Sequence, residues 1–98
     1  MKNFMRRLVV MNKKIVFITG ISRGIGLEIA KCFVNDGYYV IGTSRSSFSI
    51  NEELNSENCI HFSIDVTDRN KISSCLDELK KINKIPNVLI NNAGITKD

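Results

Sequence analysis

The sequence predicts an α/β protein built on a parallel sheet of about four strands, in the order 3-2-1-4, with helices on both faces. Three observations carry that expectation. An unbroken apolar run, Ile15-Val16-Phe17-Ile18, enters a turn with Gly20, Gly24 and Gly26 and leaves as a helix-periodic stretch. After Asp36-Gly37 comes a run rich in aromatic and β-branched residues, which closes a βαβ unit of roughly 30 residues. A second strand, helix and strand then follow, and such alternation calls for a parallel sheet covered on both sides.

Taken in order, the first strand is expected over residues 14–19 and the first helix over 24–35, with Ile25, Ile29 and Phe33 on one face. Asp36-Gly37 ends that helix. A second strand is expected over 38–43. Residues 44–57 are polar and serine-rich, with Phe48, Ile50 and Leu54 as large apolar exceptions and a short helix expected over 51–55. Alternating residues 59–64 predict a third strand, followed by Asp65-Val66-Thr67-Asp68. Asp68 or Thr67 can cap the next helix, in which Ile72, Cys75, Leu76, Leu79 and Ile82 recur at helical spacing until Ile85-Pro86 stops it. The fourth strand is expected over 87–91.

Composition narrows the functional classes. With 98 residues, 43% hydrophobic, 24% charged and a single proline, the chain suits one soluble domain. The formal charge of +4 gathers at the N-terminus and at Lys80, Lys81 and Lys84. No aromatic-basic interleaving accompanies it, so a nucleic-acid partner is not expected, whereas a phosphate-rich small ligand fits. Cys32, Cys59 and Cys75 are odd in number and widely spaced, and read as small core residues in a reducing compartment. His61 lies inside a strand-like run and reads as a packed histidine rather than a metal ligand. Leu8-Val9-Val10-Met11 is too short for a secretory core, and no run reaches the ~18 apolar residues of a membrane span. A cytoplasmic protein is expected. Met11 is as plausible a start as Met1, which makes residues 1–10 a loose extension and 11–98 the domain.

The glycine turn has a physical job. A strand that feeds directly into a helix aims the helix's unpaired N–H groups and positive dipole end at whatever lies above the strand ends, and a phosphate or pyrophosphate fits there. Gly20 lets the chain leave the strand, Gly24 removes a Cβ where a ligand comes close, and Gly26 allows tight helix-strand packing.

Three segments in this order, Thr19-Gly20-Ile21-Ser22-Arg23-Gly24-Ile25-Gly26, Asp65-Val66-Thr67-Asp68 and Asn91-Asn92-Ala93-Gly94, resemble the short-chain dehydrogenase/reductase family. The tail Asn91-Asn92-Ala93-Gly94-Ile95-Thr96-Lys97-Asp98 and the Ser22-Arg23 pair look most like its 3-oxoacyl-[acyl-carrier-protein] reductases of fatty-acid synthesis. The resemblance implies a partial Rossmann-type domain and an oxidoreductase that uses NADP. It assigns Gly20, Gly24 and Gly26 to the cofactor turn, with Ser22 and Ile25 lining the diphosphate and adenosine. Asp65 matches the acid that binds the adenine amino group, with the Val66 backbone beside it. Asn91, Ala93 and Gly94 match the segment bordering the cofactor ribose; a strand-terminating turn residue is the other reading of Asn91.

Cofactor choice follows from the end of the second strand. An NAD enzyme places an acid there to accept from both ribose hydroxyls, and that acid repels a 2′-phosphate. Here Ser44 and Arg45 stand instead. Arg45 and Arg23 occupy the two positions where NADP-using relatives place basic residues, and guanidinium groups suit a phosphate dianion.

The family's Ser, Tyr-x-x-x-Lys and helper Asn lie beyond the Asn-Asn-Ala-Gly segment, so no catalytic residue is assigned to this chain. Tyr38 and Tyr39 begin the second strand, remote from the cofactor crevice, and no lysine lies four residues after either. The expectation is therefore a truncated cofactor-binding portion whose fourth strand is an exposed edge, with an acyl-carrier-protein thioester as the parent family's substrate and homo-oligomers as its habit. Two rival readings stay open: a different short-chain dehydrogenase, or a non-catalytic nucleotide-binding or interaction module.

Overall fold

The computed structural model describes residues 14–45, 54 and 57–92. The expected extension over 1–10, the expected short helix over 51–55 apart from Leu54, and the site residues Ala93 and Gly94 lie outside the described residues.

Four parallel strands form one sheet in the order β3-β2-β1-β4: β1 is Ile15–Thr19, β2 Tyr39–Ser44, β3 Cys59–Ser63 and β4 Val88–Ile90. Helix α1, Gly24–Asn35, connects β1 to β2, and α2, Arg69–Lys81, connects β3 to β4. Val16 stands beside Val40 on one side and Val88 on the other, so β1 is the interior strand between β2 and β4.

Burial on both faces of β1 explains why its sequence is continuously apolar rather than alternating. Val16 and Ile18 point to the α1 side, where they pack with Ile21, Ala30, Val40 and Leu54. Phe17 points to the α2 side and packs with Tyr39, Ile41, Ile64, Cys75 and Leu79. The expected strand order and two-sided helical cover are thus both present.

Element ends differ from expectation for local reasons. β2 starts at Tyr39 because the Tyr38 N–H donates to the Phe33 carbonyl at 3.0 Å and its ring meets Phe33 edge-on, 4.8 Å between centroids, which keeps Tyr38 with the helix exit. Ser44 joins β2 because it pairs with Ser63 and its carbonyl accepts from the Ile64 N–H. Asn87 flanks β4, its N–H donating to the Ile15 carbonyl at 2.9 Å and its Oδ1 accepting from the Ile15 N–H at 3.0 Å. α2 closes before Ile85-Pro86, since Asn83 takes φ of 60° and Lys84 N–H folds back onto the Leu79 carbonyl. Asparagine tolerates that left-handed geometry better than most side chains.

Ile25, Ile29 and Phe33 line one face of α1, as expected, and Ile25, one position after the helix begins, is 63% exposed. Of the apolar positions on the second helix, Cys75 and Leu79 are buried and Ile72 packs against them, while Leu76 and Ile82 are exposed. Cys32 is exposed on α1 rather than a core residue, whereas Cys75 is buried and Cys59 half-buried. None of the helices among the described residues is long and apolar enough to cross a membrane.

Candidate functional site at the carboxyl edge of the sheet

Parallel strands bring their carboxyl ends to one edge, and here that edge gathers Thr19, Ser44, Asp65 and Asn91 from positions far apart in sequence. The chain leaves β1 through Gly20 at φ 71° and reaches α1 through Gly24 at φ 62°, both in the region a side chain resists. Between them Ile21 turns inward. It is fully buried, and its N–H donates to the Thr43 carbonyl at 2.9 Å, which pins the turn onto the end of β2.

Room for Ile21 comes from Gly42. A Cβ on Gly42 would collide with Ile21 Cδ1 and lie 2.7 Å from its Cγ1. Gly26 serves the other side of the turn. A Cβ there would run into the Gly20 carbonyl oxygen and stand 2.5 Å from Asn92 Nδ2, so the first turn of α1 rests on the glycine turn with no space for a methyl group. Among the described residues nothing lies within 4 Å of where a Cβ on Gly24 would stand. Its backbone angle, not crowding among the described residues, is what calls for glycine there.

The end of β4 holds the same turn. Asn92, buried, donates from Nδ2 to the Gly20 carbonyl at 3.0 Å. Thr19 Oγ1 donates to Asn91 Oδ1 at 3.1 Å. Asn91 is therefore tied to the residue that precedes the turn. Asn92 and Gly42 were not singled out from the sequence: the partner of Asn92 is 72 residues away, and Gly42 sits within an otherwise ordinary strand pattern.

The two helix starts differ in a way that matters for charge. At α2, Asp68 occupies the N-cap and its Oδ1 accepts from the Lys71 N–H at 3.2 Å. At α1 the N-cap is Arg23, which makes no side-chain cap hydrogen bond, and the first turn has no acid. The positive end of the α1 dipole is thus left without an intramolecular anion in its first turn. Arg23, Gly24 and Ile25 are exposed there, and Ser22 is half-buried.

Arg45 follows β2 and is exposed; Asp65 follows β3 on the neighbouring strand end. Hydrogen bonds from the Thr67 N–H at 2.9 Å and the Thr67 hydroxyl at 2.7 Å hold the Asp65 carboxyl below its usual range, with smaller help from Arg45 and Lys71. Val66, half-buried, lies between the two hydrogen-bonded residues. The edge therefore carries two guanidinium groups, one exposed carboxylate and an uncapped helix start. Such an arrangement suits a ligand with phosphate groups and a base able to donate to a carboxylate.

Tyr39 lies at the opposite end of the sheet, paired with Ile15 and with Lys84 Nζ 4.5 Å from its ring centroid. Burial raises its pKa, with an added push from Cys59. Among the described residues no group of three or more His, Cys, Asp or Glu is placed to hold a metal ion.

A glycine turn feeding an uncapped helix at the carboxyl edge of a parallel 3-2-1-4 sheet defines a dinucleotide-binding type of fold. The model of the short chain dehydrogenase family matches residues 14–98, and the chain belongs to that family. It is 41% identical over 88 residues to 3-oxoacyl-[acyl-carrier-protein] reductase FabG of Vibrio harveyi, covering 87% of this chain and 36% of the relative. It is 40% identical over 85 residues to oxidoreductase BOA17 of Botryotinia fuckeliana, covering 83% of this chain and 31% of that protein. The chain thus spans about a third of the length of the curated relatives it matches. Among solved structures, a short chain dehydrogenase of Leptospira borgpetersenii with bound NAD+ superposes with a TM-score of 0.71 at 32% identity, over 81% of this chain and 30% of that one. The Y152F form of ElxO with NADPH bound superposes with a TM-score of 0.67 at 34% identity, over 82% and 34% respectively.

Proposed function

We propose that this chain is the cofactor-binding part of a short-chain reductase, that its cofactor is NADP(H), and that its substrate class is a 3-oxoacyl carrier-protein thioester reduced to the 3-hydroxyacyl form. The observation that carries the reading is the glycine turn clamped between Asn92 and Gly26 against an uncapped α1, at the same edge as Arg23 and Arg45. Similarity to the FabG reductases supports the substrate class, and solved relatives with NAD+ or NADPH support a nicotinamide dinucleotide.

The residues present fit that cofactor. Gly20, Ser22, Gly24, Ile25 and Gly26 form the cradle in which the α1 N–H groups face the diphosphate, and the open space over Gly24 leaves room for it. Asp65, kept ionised by Thr67, accepts from the adenine amino group, with the Val66 backbone alongside. Arg45 and Arg23 hold the 2′-phosphate, where Ser44 replaces the acid that would repel it. Asn91 borders the ribose, and Ala93 and Gly94 continue that segment outside the described residues. When bound, the reduced nicotinamide supplies hydride; the residues of this chain bind and orient it.

Calorimetric titration tests the reading. NADPH is expected to bind in the micromolar range, and Arg45→Asp is expected to weaken it at least about tenfold while NADH affinity changes little, because a charge-assisted hydrogen bond is exchanged for a repulsion. Equal affinities for the two cofactors in the parent chain would remove the NADP assignment. The exposed outer strand β4, with Leu89 69% exposed, favours a second reading as an interaction module. Absence of dinucleotide binding together with a stable complex with another chain would select it.

A further inference from the structure

Gly42 leaves a gap on the α1 side of the sheet, and the glycine turn fills it. In its row Gly42 stands between Ile18 on β1 and His61 on β3, and the place its side chain would take is given to Ile21, which is fully buried in the cluster of Val16, Ile18, Ala30, Val40 and Leu54. The Ile21 N–H donates to the carbonyl of Thr43, the next residue on β2, at 2.9 Å. One residue of the turn is thus held to β2 by its side chain and by its backbone.

The fit has no slack toward Gly42. A Cβ there would collide with Ile21 Cδ1, and swinging Cδ1 aside leaves Cγ1 2.7 Å and Cγ2 3.2 Å away, because a β-branched side chain carries both on its own Cβ. A methyl group at position 42 therefore lifts Ile21, and the Ile21 backbone takes the turn with it.

The two partners of this contact lead to opposite ends of the ligand. Gly20 and Ser22, on either side of Ile21, belong to the cradle for the diphosphate, whereas Gly42 leads through Thr43 and Ser44 to exposed Arg45. A cofactor with a 2′-phosphate engages both ends through charge, and one with a 2′-hydroxyl gains its charge-assisted bonds at the cradle. Spacing between the ends matters more to the first.

Resting on the dinucleotide reading above, we propose that Ile21 is a positioning residue for cofactor choice: seated over Gly42, it sets the spacing between the diphosphate turn and Arg45, and with it the advantage of NADP(H) over NAD(H). Asn92, which ties Gly20 to the end of β4, holds the other side of the turn.

Parallel calorimetric titrations with NADPH and NADH, joined to hydrogen exchange at the Ile21 amide, test this role. Gly42→Ala is expected to lower NADPH affinity about tenfold and NADH affinity by no more than about threefold, while the Ile21 amide loses protection as its bond to Thr43 opens. Adding Ile21→Ala makes room for the new methyl group and is expected to return the preference to within about twofold of the parent chain. Ile21→Val removes Cδ1 alone at little cost in stability, and is read whether or not the alanine variants fold. It gives the turn play against β2 and is expected to cut the preference about threefold. Equal weakening of both cofactors in Gly42→Ala would make Ile21 a merely structural residue and overturn the proposal, as would an unchanged preference in Ile21→Val; both results leave dinucleotide binding in place. Binding of neither cofactor by the parent chain overturns the proposal and the functional reading together.

Discussion

The Gly20 carbonyl oxygen is the atom around which the site is packed. It accepts from Asn92 Nδ2 at 3.0 Å, and it occupies the space a Cβ on Gly26 would need. Relief by a flexible side chain is not available, because the obstructing atom is backbone. Gly26→Ala must therefore push α1 off the turn or break the Asn92 hydrogen bond, and the expected cost is about 1–3 kcal/mol, typical of overpacking. A urea unfolding series reads it as a lower midpoint at unchanged slope. A midpoint equal to that of the parent chain would show that the turn has slack the geometry denies. Gly26 was visible in the sequence because glycine spacing is a local signal. Asn92 was visible as part of a segment but its role was not, since that role depends on a partner 72 residues away that only strand pairing brings near. The face of Ile25 was legible and its exposure was not, for a related reason: helical periodicity gives the face but cannot tell where the helix stands relative to the sheet it covers.

At the scale of elements, the contrast between the helix starts separates stability from binding. α2 has a side-chain cap, and Asp68→Ala is expected to cost about 1 kcal/mol of unfolding free energy without affecting dinucleotide affinity. α1 has none, and Arg23→Asp would supply both a capping oxygen and a favourable charge at the dipole's positive end. That variant is expected to gain roughly 0.5–1 kcal/mol in stability while binding NADPH at least about tenfold less well. Chemical denaturation and calorimetry on the same preparation measure the two quantities. Changes of the same sign in both would mean that the α1 start is not a ligand site. Element identity was legible along the described chain because a four-residue apolar run and two amphipathic stretches bounded by turn residues have few competing interpretations. Element ends were less so. The exit of α2 depends on Asn83 adopting a left-handed angle, a choice that Pro86 three residues later concealed.

Across the whole molecule, the sheet is covered unevenly. β1 and β2 are buried on both faces, as two hydrophobic clusters with α1 on one side and α2 on the other require. β4 is three residues long, pairs only with β1 among the described strands, and exposes Leu89 while Val88 and Ile90 are half-buried. Leu76, Ile82 and Ile85 add further exposed apolar surface. The sequence disclosed this edge as soon as the strand order was set, because an outer parallel strand must leave one row of its N–H and C=O groups without a neighbouring ladder. Such an edge with an apolar side chain is a template for self-association, and a charge on it is the ordinary remedy. Leu89→Lys places that charge on a side chain that is already in solvent, so it removes little burial and should leave the unfolding midpoint nearly unchanged. Sedimentation velocity over a rising concentration series is expected to show the parent chain moving to larger species and the Lys variant remaining at the lower mass, with equal NADPH affinity in the two. If both proteins associate alike, the contact lies away from β4, and the exposed faces of α1 and α2 become the surfaces to alter next.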